Sequence, residues 1–265
     1  MAGSLKAALT RDELVLCLAL INARTPDVPA IAAACGYDAI YVDLEHTTTS
    51  VETAGMLCVS ALGAGISGLV RVPSQEPTLI ARVLDSGAVG VIVPHVNSKA
   101  EAEGVVHAAR FPPLGHRSAA GPNAVSGYAT LSPTDLTAVL ERETVVAVMI
   151  ESPEGVETCD AIAAVDGVDM IILGPSDLTA EMGIHGEYEH DRFLKAVGAV
   201  AAACRSHGVA FGIAGIKSVG QLQHFADLGL RFVSAGTDVG MFTQAATSRA
   251  RELRSLTPTP HHDTH

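Results

Sequence analysis

Four glycines set the frame of this chain. Gly36, Gly87, Gly167 and Gly229 each close an Ala-rich, helix-length stretch, and an apolar run follows closely after each. Those runs are Ala39–Val42, Val89–Val93, Met170–Leu173 and Phe232–Ser234. Glycine just past a helix accepts the left-handed conformation that turns the chain back into a strand. Four more runs, Val15–Leu20, Leu69–Val72, Val145–Ile150 and Val209–Ile213, fill the gaps and complete a set of eight. Helices are expected over 26–35, 50–62, 76–85, 98–109, 153–163, 189–206, 217–227 and 238–254. Strict alternation of this kind predicts a parallel sheet with helices outside it. Eight repeats favour closure into a (β/α)8 TIM barrel over an open doubly wound sheet, and no GxGxxG follows the first strand to suggest a dinucleotide fold. The 265 residues suit one such barrel, a fold that commonly takes about 250. The expected organisation is a single domain over 1–255 and a polar, disordered tail over 256–265. Residues 110–144, dense in Gly, Pro, Ser and Asn, are the one long interruption and read as a functional or interface loop.

A net charge of −12 argues against nucleic acid and anionic membrane as partners. No apolar run reaches the ~18 residues of a membrane span, and MAGSLKAALTRDE has no signal core. The five cysteines are scattered in apolar segments without a CxxC, as in a reducing cytoplasm.

In such barrels the chemistry lies where the strands end. The fifth run delivers Glu151 directly, and the sixth delivers Gly174-Pro175-Ser176-Asp177. Two carboxylates at the same rim of neighbouring parallel strands can present hard oxygen ligands to a Mg²⁺-like ion. A plain helix cap for Asp177 and a solvated loop charge for Glu151 are the bland alternative. The second run ends in Asp43-Leu44-Glu45-His46, the third in Arg71, and the fourth in Pro94-His95, with Asp85 on the helix before it. Each could be a surface or structural group by itself; together they line one mouth.

Taken with YVDLEH (41–46), LVRVP (69–73), LDSGAVGVIVPHV (84–96), ARFPPLGHR (109–117), MIESPEGV (149–156) and GPSDLTAEMG (174–183), these residues resemble the class II pyruvate aldolases of the HpcH/HpaI family. These are the 4-hydroxy-2-oxoheptane-1,7-dioate aldolases and their relatives. The resemblance implies Glu151 and Asp177 as metal ligands, for Mg²⁺, Mn²⁺ or Co²⁺. It also implies that the backbone of Gly174, Pro175, Ser176 and Asp177 holds the pyruvate carboxylate. His46 corresponds to the base, assisted by Asp85 and Asp43, and Arg71 to the group steadying the enolate oxygen. The implied reaction is cleavage or formation of the C3–C4 bond of 4-hydroxy-2-oxo acids, from a pyruvate or hydroxypyruvate enolate and an aldehyde. Oxaloacetate decarboxylation is the implied side activity, and a homo-hexamer the implied assembly. Two departures bear on specificity: Met149 stands where many members carry a substrate-contacting Gln, and Ser118 follows Arg117 where many have Gly.

Three alternatives stand beside this expectation. A Schiff-base aldolase needs a lysine at a strand end, and only Lys217 lies just beyond one. A citryl-CoA-lyase-like enzyme shares the Glu and Asp pair but needs a basic surface for the CoA phosphates. A non-catalytic, metal-dependent 2-oxo-acid-binding protein would not need His46 and Arg71.

Overall fold

The computed structural model describes residues 5–11 and 13–256, so the tail expected over 256–265 lies, past its first residue, outside the described residues. Eight strands form a closed barrel: β1 (Val15–Leu20), β2 (Ala39–Asp43), β3 (Ser67–Arg71), β4 (Gly90–Val93), β5 (Val145–Ile150), β6 (Met170–Leu173), β7 (Ala210–Ala214) and β8 (Leu230–Ser234). Each strand is parallel to the next, and β8 returns to β1 with Val15 opposite Phe232. The chain is thus a (β/α)8 barrel.

Strand alternation divides the apolar residues into two cores. Cys17, Tyr41, Leu69, Ile92, Ala147, Met149, Ile172 and Phe232 fill the barrel interior. Their outward neighbours, such as Val42, Val70, Val148 and Ile171, pack under the helices. The same alternation carries the inward face two residues further up, from Tyr41 to Asp43, Leu69 to Arg71, Met149 to Glu151 and Ile172 to Gly174. Apolar floor and polar rim therefore follow from one period of two.

Three features differ from expectation. The helix Leu5–Thr10, absent from the expected set, places Leu5 and Leu9 into the interior core at the N-terminal end of the strands. The interruption at 110–144 contains the helix Pro133–Glu143, capped by Ser132, whose side chain accepts from Asp135 N, with Pro133 at its first turn. That start signal is present in the sequence but sits inside a turn-rich stretch. The helix expected over 153–163 is two short ones, Pro153–Glu157 and Cys159–Ala163, broken at Thr158.

The last helix, Asp238–Arg254, buries none of its residues. Phe242 is 75% exposed, and Leu14 and Leu16, at the start of β1, are also open to solvent. Its start is nonetheless anchored: the Asp238 carboxylate accepts from the backbone of Ile21, Asn22 and Ala23 at 3.0, 3.0 and 2.6 Å.

Candidate active site

The polar rim is built around an ion pair and a buried acid. Asp43, fully buried at the end of β2, receives Arg71 from β3 through two bonds, Nε to Oδ1 at 3.0 Å and Nη2 to Oδ2 at 2.7 Å. Its Oδ1 also accepts the backbone of Glu45 at 2.9 Å and of His46 at 3.4 Å, so one carboxylate shapes the turn that presents both side chains. Burial alone would lower the Arg71 pKa, but the hydrogen bond to Asp43 and the neighbouring charges outweigh it and raise it. The guanidinium is therefore a permanent, fixed charge.

Glu151 follows β5 directly and is 3% exposed. Burial, the largest influence, pushes its carboxyl from the ordinary 4.5 up to about 7, against the opposing pull of His95. Nearby Glu45 and Asp177 push it in the same direction as burial. Gly174 explains how the acid fits: a Cβ there would stand 2.5 Å from Glu151 Oε2 and 2.7 Å from its Cγ. Only a glycine lets the two strand ends close around this carboxylate. Beyond it, Pro175 opens the helix Pro175–Glu181, with Asp177 exposed in its first turn. The N–H groups of that turn lack intrahelical acceptors, as at any helix start. Ser176 Oγ lies 3.3 Å from the Tyr188 hydroxyl.

Glu45 and His95, both at strand ends in the sequence but without an assigned role there, complete the cluster. Glu45 faces Arg71 Nη1 at 3.1 Å, His46 Nε2 at 3.4 Å and His95 Nε2 at 3.3 Å. His95 bridges to Glu151 through Nδ1 at 3.5 Å and through its backbone N–H at 3.2 Å. The spacing Asp43-Leu44-Glu45 could have marked Glu45 as a second acid on one face, and Pro94-His95 directly follows β4.

Two expected site residues are placed elsewhere. Asp85 closes the nine-residue helix Pro77–Asp85, which runs away from the rim, and Arg117 holds it at 2.7 Å. A helix of that length carries its end roughly 13 Å from its start, so within one chain Asp85 is no neighbour of His46. The carboxylate beside the His46 ring is Glu45. Met149 is buried in the barrel interior beneath Glu151, where it can form only the floor of the site.

The donor set fits a divalent cation. Glu151 is a buried acid with no permanent cation bound to it. Glu45 Oε2 is buried and makes no well-directed hydrogen bond although Arg71 lies nearby. Excess buried carboxylate of this kind calls for positive charge. Among the described residues, no three His, Cys, Asp or Glu side chains already close on one point, so the remaining ligands must come from substrate, water or a side-chain movement.

Comparison with known proteins gives the same direction. The sequence profile described as HpcH/HpaI aldolase/citrate lyase matches residues 18–245. A 4-hydroxy-4-methyl-2-oxoglutarate aldolase of Hapsidospora irregularis is 38% identical over 235 residues, 87% of each chain. A 5-keto-4-deoxy-D-glucarate aldolase of Shigella boydii is 33% identical, over 92% of this chain and 94% of its own. The crystal structure of an HpcH/HpaI aldolase from Desulfitobacterium hafniense superposes with a TM-score of 0.90 at 29% identity, covering 97% of this chain and 99% of that one.

Proposed function

The chain belongs to the HpcH/HpaI aldolase/citrate lyase family and is a carbon–carbon lyase; from that premise we propose that it is a divalent-metal-dependent aldolase acting on 4-hydroxy-2-oxo acids. The observation that carries this is the buried, cation-poor Glu151 seated against Gly174, at the same rim as Arg71 and His46. The substrates named for its relatives, 4-hydroxy-4-methyl-2-oxoglutarate and 5-keto-4-deoxy-D-glucarate, are both oxo dicarboxylates. Cleavage of the former between C3 and C4 gives two molecules of pyruvate.

Glu151 and Asp177 would hold the cation, of which Mg²⁺, Mn²⁺ and Co²⁺ are the candidates. When bound, such an ion supplies Lewis-acid polarisation and a template for a 2-oxo acid. Arg71 supplies a preorganised charge for the oxygen that becomes an enolate. His46, exposed at the mouth and flanked by Glu45, takes the proton of the 4-hydroxyl, or returns it in the synthetic direction. The backbone N–H groups of Ser176 and Asp177 receive the substrate carboxylate. Oxaloacetate decarboxylation follows as a side activity, because it passes through the same enolate.

Assembly forms part of the proposal. The unburied helix Asp238–Arg254 and the open apolar residues at the start of β1 suit contact with a second copy, within a homo-hexamer. Asp85 then assists a His46 only across a subunit boundary.

The test is release of pyruvate from a panel of 4-hydroxy-2-oxo acids by the chelator-stripped protein, before and after Mg²⁺, Mn²⁺ or Co²⁺. Loss on stripping and recovery with metal is expected. Full turnover in chelator, or borohydride trapping of pyruvate on Lys217, would overturn it.

A further inference from the structure

We propose that His95 is a third protein ligand of the cation at Glu151, binding through Nδ1, and that it biases the site toward imidazole-accepting ions such as Co²⁺ over Mg²⁺. This rests on the proposed metal dependence and adds a ligand to it. The backbone is the first sign. His95 adopts φ 53°, a left-handed conformation that is uncommon outside glycine and, among other residues, is met mostly in Asn, Asp and His. It does so immediately after β4, where the chain leaves the barrel rim. Its N–H bonds Glu151 Oε1 at 3.2 Å, and its carbonyl accepts from Gln75 Nε2 at 3.1 Å. This uncommon backbone state is pinned on both sides of the residue, and its effect is to bring the ring beside the buried acid.

The ring then presents its two nitrogens differently. Nδ1 stands 3.5 Å from Glu151 Oε1. Two ligands held at ~2.1 Å by one ion lie ~3.0 Å apart at right angles and ~3.4 Å apart in a tetrahedron. The observed gap is close to that edge. Nε2, on the far side, stands 3.3 Å from Glu45 Oε1. A ligating histidine nearly always gives its other N–H to a carboxylate or carbonyl, which fixes the tautomer and aims the free nitrogen. Glu45 is positioned for that task, and Arg71 Nη1 holds it in turn at 3.1 Å. The His95 side chain is 55% exposed, so it has room to move the last distance to an ion.

Chemistry gives the consequence. Mg²⁺ takes oxygen ligands and keeps its water, whereas Co²⁺ gains from an imidazole. The experiment uses the full chain, stripped with chelator, as wild type, His95→Gly and Glu151→Gln. Glycine tolerates the left-handed backbone. His95→Asn, the next most tolerant choice, replaces it if the glycine variant folds poorly. Mn²⁺-loaded protein is read by electron spin-echo modulation for a bound nitrogen, and Co²⁺ and Mg²⁺ affinities are read by calorimetry. The nitrogen signal should be present in wild type and absent in His95→Gly. The Co²⁺ to Mg²⁺ affinity ratio should fall about tenfold or more in that variant, and added imidazole should restore it. A wild type without nitrogen coupling, or an unchanged ratio in the variant, would overturn the His95 assignment. If Glu151→Gln still abolished binding, the metal-dependent function would stand. A wild type that bound none of these cations would overturn both.

Discussion

The barrel carries a buried charge cluster at each end, and the two differ in stoichiometry. At the N-terminal face, Arg110 is buried and paired with Glu141 at 2.9 Å and with Asp169, while Lys6 reaches Asp169 at 3.0 Å. The remaining valences are filled by backbone: Arg110 donates to Gly167 O and Thr144 O, and Asp169 accepts from Val146 N. Two cations meet two carboxylates. At the C-terminal rim, Asp43, Glu45, Glu151 and Asp177 face one permanent cation, Arg71, and the rings of His46 and His95. A balanced cluster is finished and holds the fold together. One with surplus buried acid calls for further positive charge, the place that the proposed function gives to a divalent cation.

The widest gap between the two ends should appear in kinetics. In the proposed reaction Arg71 stabilises enolate charge, which would form both in aldol cleavage and in oxaloacetate decarboxylation. The proposed role of His46 is to move the proton of the 4-hydroxyl, and decarboxylation has no such proton. His46→Ala should cost the aldol reaction ~10²–10⁴-fold, as loss of a general base does, and spare most of the decarboxylation. Arg71→Ala should cost both about 10²-fold or more, as loss of an oxyanion donor does. Because Arg71→Ala also strands the buried Asp43, Arg71→Lys is run beside it to separate charge from fold. Equal losses for His46→Ala in the two reactions would make it a positioning group instead of the base.

The balanced end should answer in stability. Arg110→Ala leaves Glu141 without its cation and Asp169 with Lys6 alone, and should cost ~3–5 kcal/mol, the usual result of breaking a buried pair. Urea denaturation measures it. Turnover per folded molecule should stay close to wild type. A large fall in kcat with unchanged stability would erase the distinction between the two ends.

Much of this contrast is visible in the sequence, for a physical reason. Strand period and helix-closing glycines gave all eight strands, because a buried parallel strand is a short apolar run with turn residues at its ends. The ends of those runs then gave Asp43, Arg71, Glu151 and Asp177. What stayed hidden depends on where helices finish and how side chains rotate. Asp85 is the last residue of an expected helix, yet only the direction of Pro77–Asp85 shows that it leaves the rim. His95 is an ordinary polar residue in the sequence, and only its backbone angle and two nitrogen distances make it a neighbour of Glu151. The helix Pro133–Glu143 carried a cap but was masked by the proline- and glycine-rich segment around it.

The surplus acid should also make the stripped protein sensitive to pH. Burial raises the Glu151 carboxyl from 4.5 to about 7, so the folded state holds that proton more tightly than the unfolded chain. Its contribution is fully present below 4.5 and is lost as pH rises to about 7. The loss is on the order of 3 kcal/mol. Chelator-treated wild type should therefore melt lower at pH 7.5 than at pH 5, against a Glu151→Gln background that removes this component. If Glu151 is a metal ligand as proposed, divalent metal should offset the fall, since it would bind the ionised acid. A melting difference identical in the two proteins would show that Glu151 is not the strained charge.

Gly174 offers the smallest and most local test. A methyl group there meets Glu151 Oε2 and Cγ at 2.5 and 2.7 Å, closer than a real Cβ contact allows, so the carboxylate must move. The glycine is not needed for its backbone, with φ −102° within reach of any residue. Alanine can thus keep the strand end and the helix start while displacing the acid, which makes the substitution a steric probe of one group. Gly174→Ala should weaken divalent-metal affinity by about 10–100-fold, comparable to the loss of a group that orients a ligand. The melting temperature of the stripped protein should change little, because the displaced group is the one that burial disfavours as a charge. Calorimetric metal titration beside thermal melting measures both. Unchanged affinity would mean that the position of Glu151 does not govern the site, and would remove the surplus acid from the centre of the comparison.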